Sequence, residues 1–205
     1  MQGGLGSVLD IYTATIPDRE MDISSIYPIE RQKEIESCKD KKVRAEKFCA
    51  WQLLSFALFS TFGYDIKDLD IKKDEQGKWT VSNCFFSISH SNGVVAVALS
   101  NSAVGVDIEA VKEEKQAVIE RVLTDAERKE LLGVEADKKA LWLTQKWTEK
   151  ESFFKASQLK NFCPSKIEAE RENLSSRQMV VGDKTFVLTV YSKQIDKINY
   201  KQITL

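Results

Sequence analysis

Residues 8–16 alternate apolar and polar side chains, several of them β-branched, which predicts a strand. The charge-rich segment 29–40 predicts a helix. Residues 43–59 are crowded with large apolar side chains and predict a core helix that Gly63 ends. Glu75-Gln76-Gly77-Lys78 predicts a turn, followed by strands over 79–81 and 85–89. Residues 94–99 are a continuous apolar run between turn residues, the pattern of a buried strand, and Asn101-Ser102 predicts a hairpin into 103–108. Residues 117–123 predict a helix. Thr124 and Glu127 have capping-box spacing, with Gly133 ending the helix they start. Asp137 is expected to cap a long helix running to Leu159. After Pro164, residues 178–181 and 185–191 flank Gly182-Asp183 as a hairpin, and 198–205 predict a further strand.

Strands and one long helix thus occur in each half, which predicts an α+β chain with mainly antiparallel sheets. At 205 residues, 42% hydrophobic and 30% charged, the composition is that of an ordinary soluble protein with a sizeable core. The net charge of -1 gives no global electrostatic reason to bind nucleic acid or an anionic membrane. The longest apolar stretch, 48–59, is broken by Gln52 and Ser55 and is too short to span a bilayer. The N-terminus lacks the pattern of a signal peptide, and the cysteines at 38, 49, 84 and 163 have no paired spacing. Reduced cysteines and a cytoplasmic location are therefore expected. His90 is the only histidine, so no two-histidine zinc site exists, and any catalytic triad would have to use His90 itself.

Two acidic segments change this bland picture. In Gly105-Val106-Asp107-Ile108-Glu109, read as a strand, Asp107 and Glu109 project from one face while Val104, Val106 and Ile108 enter the core. The two carboxylates stand about 7 Å apart as i and i+2 neighbours, within reach of one hard cation, and Gly105 is expected to leave space beside them. In Trp147-Thr148-Glu149-Lys150-Glu151-Ser152-Phe153-Phe154-Lys155, Trp147, Glu151 and Lys155 share a helix surface. Glu151 is then a candidate third metal ligand and Lys155 a phosphate contact. The same spacing fits a solvated strand end and a routine Glu–Lys helix pair, and spacing alone leaves both readings open.

Two further segments suit an anion. Lys39, Lys41, Lys42, Arg44 and Lys47 crowd a predicted helix N-terminus, either to bind an anion or as a solvated face neutralised by Asp40 and Glu46. Phe86-Ser87-Ile88-Ser89-His90-Ser91 reads as a strand running into a polar turn that offers hydroxyls and an imidazole.

The order and separation of the two acidic segments resemble the two-part signature of the 4′-phosphopantetheinyl transferases, in the surfactin-type, single-chain branch. Arg121-Val122-Leu123-Thr124-Asp125-Ala126-Glu127 also resembles that family. The resemblance covers most of residues 28–160. It implies two similar halves, 1–101 and 102–205, in a pseudo-twofold arrangement with the site between them, in a monomer. It implies transfer of 4′-phosphopantetheine from coenzyme A to a serine of an acyl or peptidyl carrier protein, with magnesium held by Asp107, Glu109 and Glu151. Glu151 and Lys155 are the implied catalytic residues. Arg44, Lys78, Ser89, His90, Lys150 and Lys155 are the implied coenzyme contacts, with the carrier docking near residues 116–132. One departure stands out: Trp79 follows Lys78 where the family's Gly-Lys-Pro turn has proline. The rival readings are another magnesium-dependent phosphotransferase or nuclease, and a non-catalytic coenzyme A or carrier-binding module. The chain has no Gly-x-x-x-x-Gly-Lys-Ser/Thr loop, which argues against an ordinary nucleoside triphosphatase.

Overall fold

The computed structural model describes residues 8–18, 21–157, 159–195 and 197–205. Its elements run β1 (Leu9–Thr15), α1 (Ile29–Glu36), α2 (Lys41–Phe62), β2 (Ile71–Lys73), β3 (Trp79–Val81), β4 (Phe85–Ser91), β5 (Val94–Ser100) and β6 (Val104–Ala110). Then come α3 (Gln116–Val122), α4 (Asp125–Leu132), α5 (Lys139–Ala156), β7 (Leu174–Val181), β8 (Lys184–Ser192) and β9 (Asn199–Thr204).

A four-stranded sheet has the order β4-β5-β1-β9, a three-stranded sheet the order β6-β8-β7, and β2 and β3 pair separately. All pairings are antiparallel except β1 with β9. The fold is therefore mixed α and β with mainly antiparallel sheets, as the periodicity predicts.

The continuous apolar run of β5 has a simple cause: both of its faces are covered. Val95, Val97 and Leu99 join the core beneath α2, while Val94, Ala96 and Ala98 join a second core shared with β6 and β8. Burying a Val or Leu is worth roughly 1.5–3 kcal/mol, so one such strand anchors both layers. Helix α2 begins where the Asp40 carboxylate accepts the Lys42 and Val43 amides, at 2.8 and 3.0 Å. It ends at Gly63, whose φ of 73° supplies the left-handed cap. The capping box of α4 is also present: Thr124 N–H donates to Glu127 and the Glu127 amide to the Thr124 hydroxyl.

Four expectations are corrected. Residues 101–102 do not join a hairpin, because β5 and β6 belong to different sheets. Helix α5 stops at Ala156, and Asp137 lies in a 3-10 turn before it, so Lys138 takes the N-cap position without a side-chain cap. Strand β4 continues through His90 and Ser91, and the turn falls instead at Asn92-Gly93, where both φ angles are positive. Gly105 leaves no space beside the carboxylates. A Cβ there would lie 1.8 Å from the Ser152 carbonyl oxygen of α5.

The last strand crosses from the second half to the first. In β9, Lys201 donates to Asp10 and Tyr12 of β1 at 2.6 and 2.8 Å, and Asn199 donates to Asp10 at 2.8 Å. Among the described residues, no helix is long and apolar enough to cross a membrane.

Candidate active site

Strands β4 and β6 meet along a seam between the two sheets, joined through serine side chains. Ser87, Ser89 and Ser91 share one face of β4, and their hydroxyls accept the backbone N–H groups of Val106, Ile108 and Ala110 at 3.0, 3.3 and 3.4 Å. Two of them also donate to acidic side chains: Ser89 to Asp107 Oδ1 and Ser91 to Glu109 Oε2, both at 2.7 Å. The alternation that turns Val106 and Ile108 into the core turns Asp107 toward α5.

Because position 105 has no side chain, α5 packs against β6 at backbone distance and carries Glu151 and Lys155 to Asp107. Lys155 Nζ lies 2.7 Å from Asp107 Oδ1, 3.2 Å from both Ser89 Oγ and the Val106 carbonyl, and 3.5 Å from Glu151 Oε2. Burial opposes the Lys155 charge, yet the Asp107 and Glu151 carboxylates outweigh it and raise its pKa. Burial raises the Glu109 pKa, aided by the Asp107 and Glu151 charges against the Ser91 hydrogen bond and Lys112. Burial likewise raises that of Glu151, with Lys155 opposing and Asp107 adding.

Among the described residues, no three acidic, histidine or cysteine side chains are drawn into a ready-made metal cage. The residues nonetheless fit a hard cation. Asp107 Oδ2 is buried with no hydrogen-bond partner. Two neighbouring carboxylates feel its charge, and an all-oxygen donor set suits magnesium.

Lys155 also lines a cleft of about 450 Å³. Arg31, Lys47, Lys78, His90 and Lys160 add positive or protonatable groups, and Trp51, Trp79 and Phe154 add aromatic surface. The Arg31 guanidinium lies over the Trp51 ring, 4.8 Å from its centroid, and its buried Nε has no partner. A smaller cavity of about 250 Å³ adjoins Glu109, walled by Ile119, Val122, Leu143 and Trp147.

The structure sorts the remaining expected contacts. His90 points to α2, with Nδ1 3.1 Å from Glu46 Oε2; burial lowers its pKa, Glu46 opposes that, and Lys155 adds to it. Lys78 Nζ reaches the backbone carbonyl of Lys155 at 2.6 Å. Its turn keeps its shape without proline because Asp74 Oδ1 accepts the Gln76 and Lys78 amides, both at 2.9 Å. Trp79 packs edge-on against Trp51 and donates to Glu34.

Arg44 donates through Nε and Nη2 to the Cys38 carbonyl at 2.9 and 2.5 Å and does not line the cleft. Of the two readings left open for the α2 N-terminus, the Asp40 side chain already caps the Lys42 and Val43 amides there. Lys150, an expected coenzyme contact, does not line the cleft. It is buried, and its Nζ binds the Pro164 and Ile167 carbonyls at 2.9 Å and Glu127 at 2.8 Å. Sequence reasoning missed the parts played by Ser87 and Ser91. Serines two apart in an otherwise apolar strand were the available signal.

Known proteins resemble parts of this chain. Residues 103–196 match the family model of the 4′-phosphopantetheinyl transferase superfamily, which bears out the resemblance read from the two acidic segments. The 4′-phosphopantetheinyl transferase ffp of Bacillus subtilis is 33% identical over 97 residues, covering 45% of this chain and 43% of that relative. Sfp of Bacillus subtilis strain 168 is 30% identical over 94 residues, 44% of this chain and 42% of its own length. Psf-1 of Bacillus pumilus is 34% identical over 70 residues, 34% of this chain and 30% of its own length. The chain thus spans less than half the length of these curated relatives.

Proposed function

We propose that this chain transfers the 4′-phosphopantetheine arm of coenzyme A to a serine hydroxyl of an acyl or peptidyl carrier protein, releasing 3′,5′-ADP in a magnesium-dependent reaction. One observation carries the reading: Lys155 belongs both to the Asp107–Glu151 cluster and to the basic, aromatic cleft. Carboxylates for a cation therefore adjoin a surface suited to a phosphorylated nucleotide. The named relatives are 4′-phosphopantetheinyl transferases, which supports the same class.

Asp107, Glu109 and Glu151 would hold the ion. When bound, magnesium supplies positive charge that offsets the charge of the diphosphate. The carrier serine oxygen forms a bond to the β-phosphorus as the bond from that phosphorus to the bridging oxygen breaks, leaving the electron pair on the α-phosphate. Lys155 stabilises that developing charge. Glu151 would take the serine proton directly or through a water, although holding the ion lowers its proton affinity. His90 and Lys78 face the coenzyme phosphates from the cleft wall. Arg44 joins them only by releasing the Cys38 carbonyl. Ser89 acts through Asp107, to which it donates.

Helices α2 and α5, each lying against a sheet, form the two halves of a pseudo-twofold arrangement meeting near residue 101, in a cytoplasmic monomer. The carrier docks over residues 116–132, beside the apolar cavity at Glu109. The test incubates the chain with coenzyme A, magnesium and an apo carrier protein, and reads the carrier by mass spectrometry. A magnesium-dependent gain of one phosphopantetheine is expected, abolished in folded Asp107→Ala and Glu151→Ala variants. Wild-type-like modification by either variant would sink the proposed metal site. Coenzyme binding without transfer would leave a binding module, and phosphate release without a carrier a different phosphotransferase.

A further inference from the structure

We propose that Ser91 is a positioning residue for the site. Its hydroxyl fixes the Glu109 carboxylate for the cation, as Ser89 fixes Asp107, so the first half of the chain orients ligands carried by the second. This inference rests on the functional reading above, because it supposes that Asp107 and Glu109 hold the ion.

Hydrogen-bond direction fixes the role of each serine. A serine hydroxyl has one proton to donate and two lone pairs to accept with. Ser91 Oγ accepts from the Ala110 amide at 3.4 Å and from Asn92 Nδ2 at 3.2 Å, both of which are donors only. Its single proton is thereby directed to Glu109 Oε2, 2.7 Å away. Ser89 is wired the same way. It accepts from the Ile108 amide and from Lys155 Nζ, and donates to Asp107 Oδ1. Both serines are buried, the bond from Ser89 to Asp107 is fully buried, and that from Ser91 to Glu109 is partly so. The Glu109 carboxylate is held by Ser91 at one oxygen, and an ion needs the other oxygen aimed at the same point as Asp107. Outer hydrogen bonds of this kind orient ligating groups, and losing one typically costs about 10–100-fold in metal affinity.

The ladder contains its own control. Ser87 accepts the Val106 amide as the other two serines accept theirs, but the residue preceding Val106 on the carboxylate face is Gly105, which offers nothing to orient. Removing the Ser87 hydroxyl therefore takes away a rung of the seam without releasing a carboxylate. Removing that of Ser91 takes away a rung and releases Glu109.

The experiment compares Ser91→Ala, Ser91→Thr and Ser87→Ala in the full chain with coenzyme A bound. Magnesium affinity is measured by calorimetry, checked with manganese by electron paramagnetic resonance, and thermal melting is recorded alongside. About a tenfold or greater loss of magnesium affinity is expected in Ser91→Ala, recovery in Ser91→Thr, and near wild-type affinity in Ser87→Ala despite a lowered melting temperature. In the transfer assay, Ser91→Ala should raise the magnesium requirement while leaving the KM for coenzyme A within about twofold of wild type. Unchanged magnesium affinity in Ser91→Ala overturns the proposal, as does an equal loss in Ser87→Ala. Wild-type protein that binds magnesium with this serine dependence but modifies no carrier upholds the positioning role and rejects the transferase reading. Wild-type protein that binds no magnesium overturns both.

Discussion

Lys155 and Asp107 form an ion pair of 2.7 Å between the last turns of α5 and the middle of β6. The pair is largely out of water, and among the described residues Asp107 accepts its other side-chain hydrogen bond from Ser89. Replacing Lys155 by Ala leaves that carboxylate buried without its counter-charge, which typically costs about 3 kcal/mol. If Lys155 also stabilises the leaving phosphate, Lys155→Ala lowers transfer by roughly 10²–10³-fold. Urea unfolding and carrier modification rates read the two effects separately. A stable variant with normal turnover would remove Lys155 from the site.

Gly105→Ala is expected to be among the most damaging small substitutions in the chain. The added methyl group would overlap the Ser152 carbonyl at 1.8 Å, with the Ala156 amide nitrogen at 2.8 Å, and both are helix backbone that cannot rotate away. Helix α5 must move off β6, at a cost of about 3 kcal/mol or more. A thermal melt within a degree or two of wild type would show that α5 does not approach β6 this closely.

The turn that carries Lys78 is held by Asp74. Asp74→Ala frees two amides and loosens the turn, so the KM for coenzyme A should rise several-fold with little change in kcat. Steady-state kinetics against coenzyme A concentration checks this, and an unchanged KM in Asp74→Ala would count against Lys78 as a phosphate contact.

His90 carries a lowered pKa, because burial outweighs the pull of Glu46. It is therefore mostly neutral at pH 7, and an anion beside it binds better once the ring is protonated. Coenzyme affinity should strengthen as pH falls below the ordinary histidine value of 6.5. Calorimetry at several pH values should show that trend in the wild type and its loss in His90→Gln. The same trend in both proteins would place the titrating group elsewhere.

Asp10 links the first and last strands of the main sheet. Burial works against its charge, but hydrogen bonds from Lys201, Asn199 and Thr61 prevail and lower its pKa below the ordinary 3.8. Its stabilising contribution is thus complete above about pH 4 and is lost as pH falls through the lowered folded value. Lys201 has the opposite sign. Its pKa is raised above 10.5 by Asp10 and Tyr12 despite burial, so its contribution fades only in strongly alkaline solution. Denaturant midpoints between pH 5 and 2.5 should fall more steeply for the wild type than for Asp10→Asn. Parallel curves would mean that Asp10 does not tie β9 to β1.

Much of this architecture was legible in the sequence because it depends on local periodicity and end chemistry. The helix stop at Gly63, the capping box at Thr124, the β7–β8 hairpin and the two-sided apolar run of β5 all follow from residues within a few positions of one another. Alternation along β6 likewise placed Asp107 opposite the core residues, and helical spacing placed Glu151 beside Lys155. Only the tertiary structure decided what those faces meet. It put β6 in a different sheet from β5, sent β9 back to β1, filled the space at Gly105 with a helix backbone, and turned Lys150 inward to hold the 164–167 segment. It also drew the β4 serines onto the β6 carboxylates, 18 residues away in sequence. Side-chain direction is a local property, fixed by backbone geometry. Which donor a carboxylate finds depends on the packing of distant segments, and no spacing within one strand encodes it.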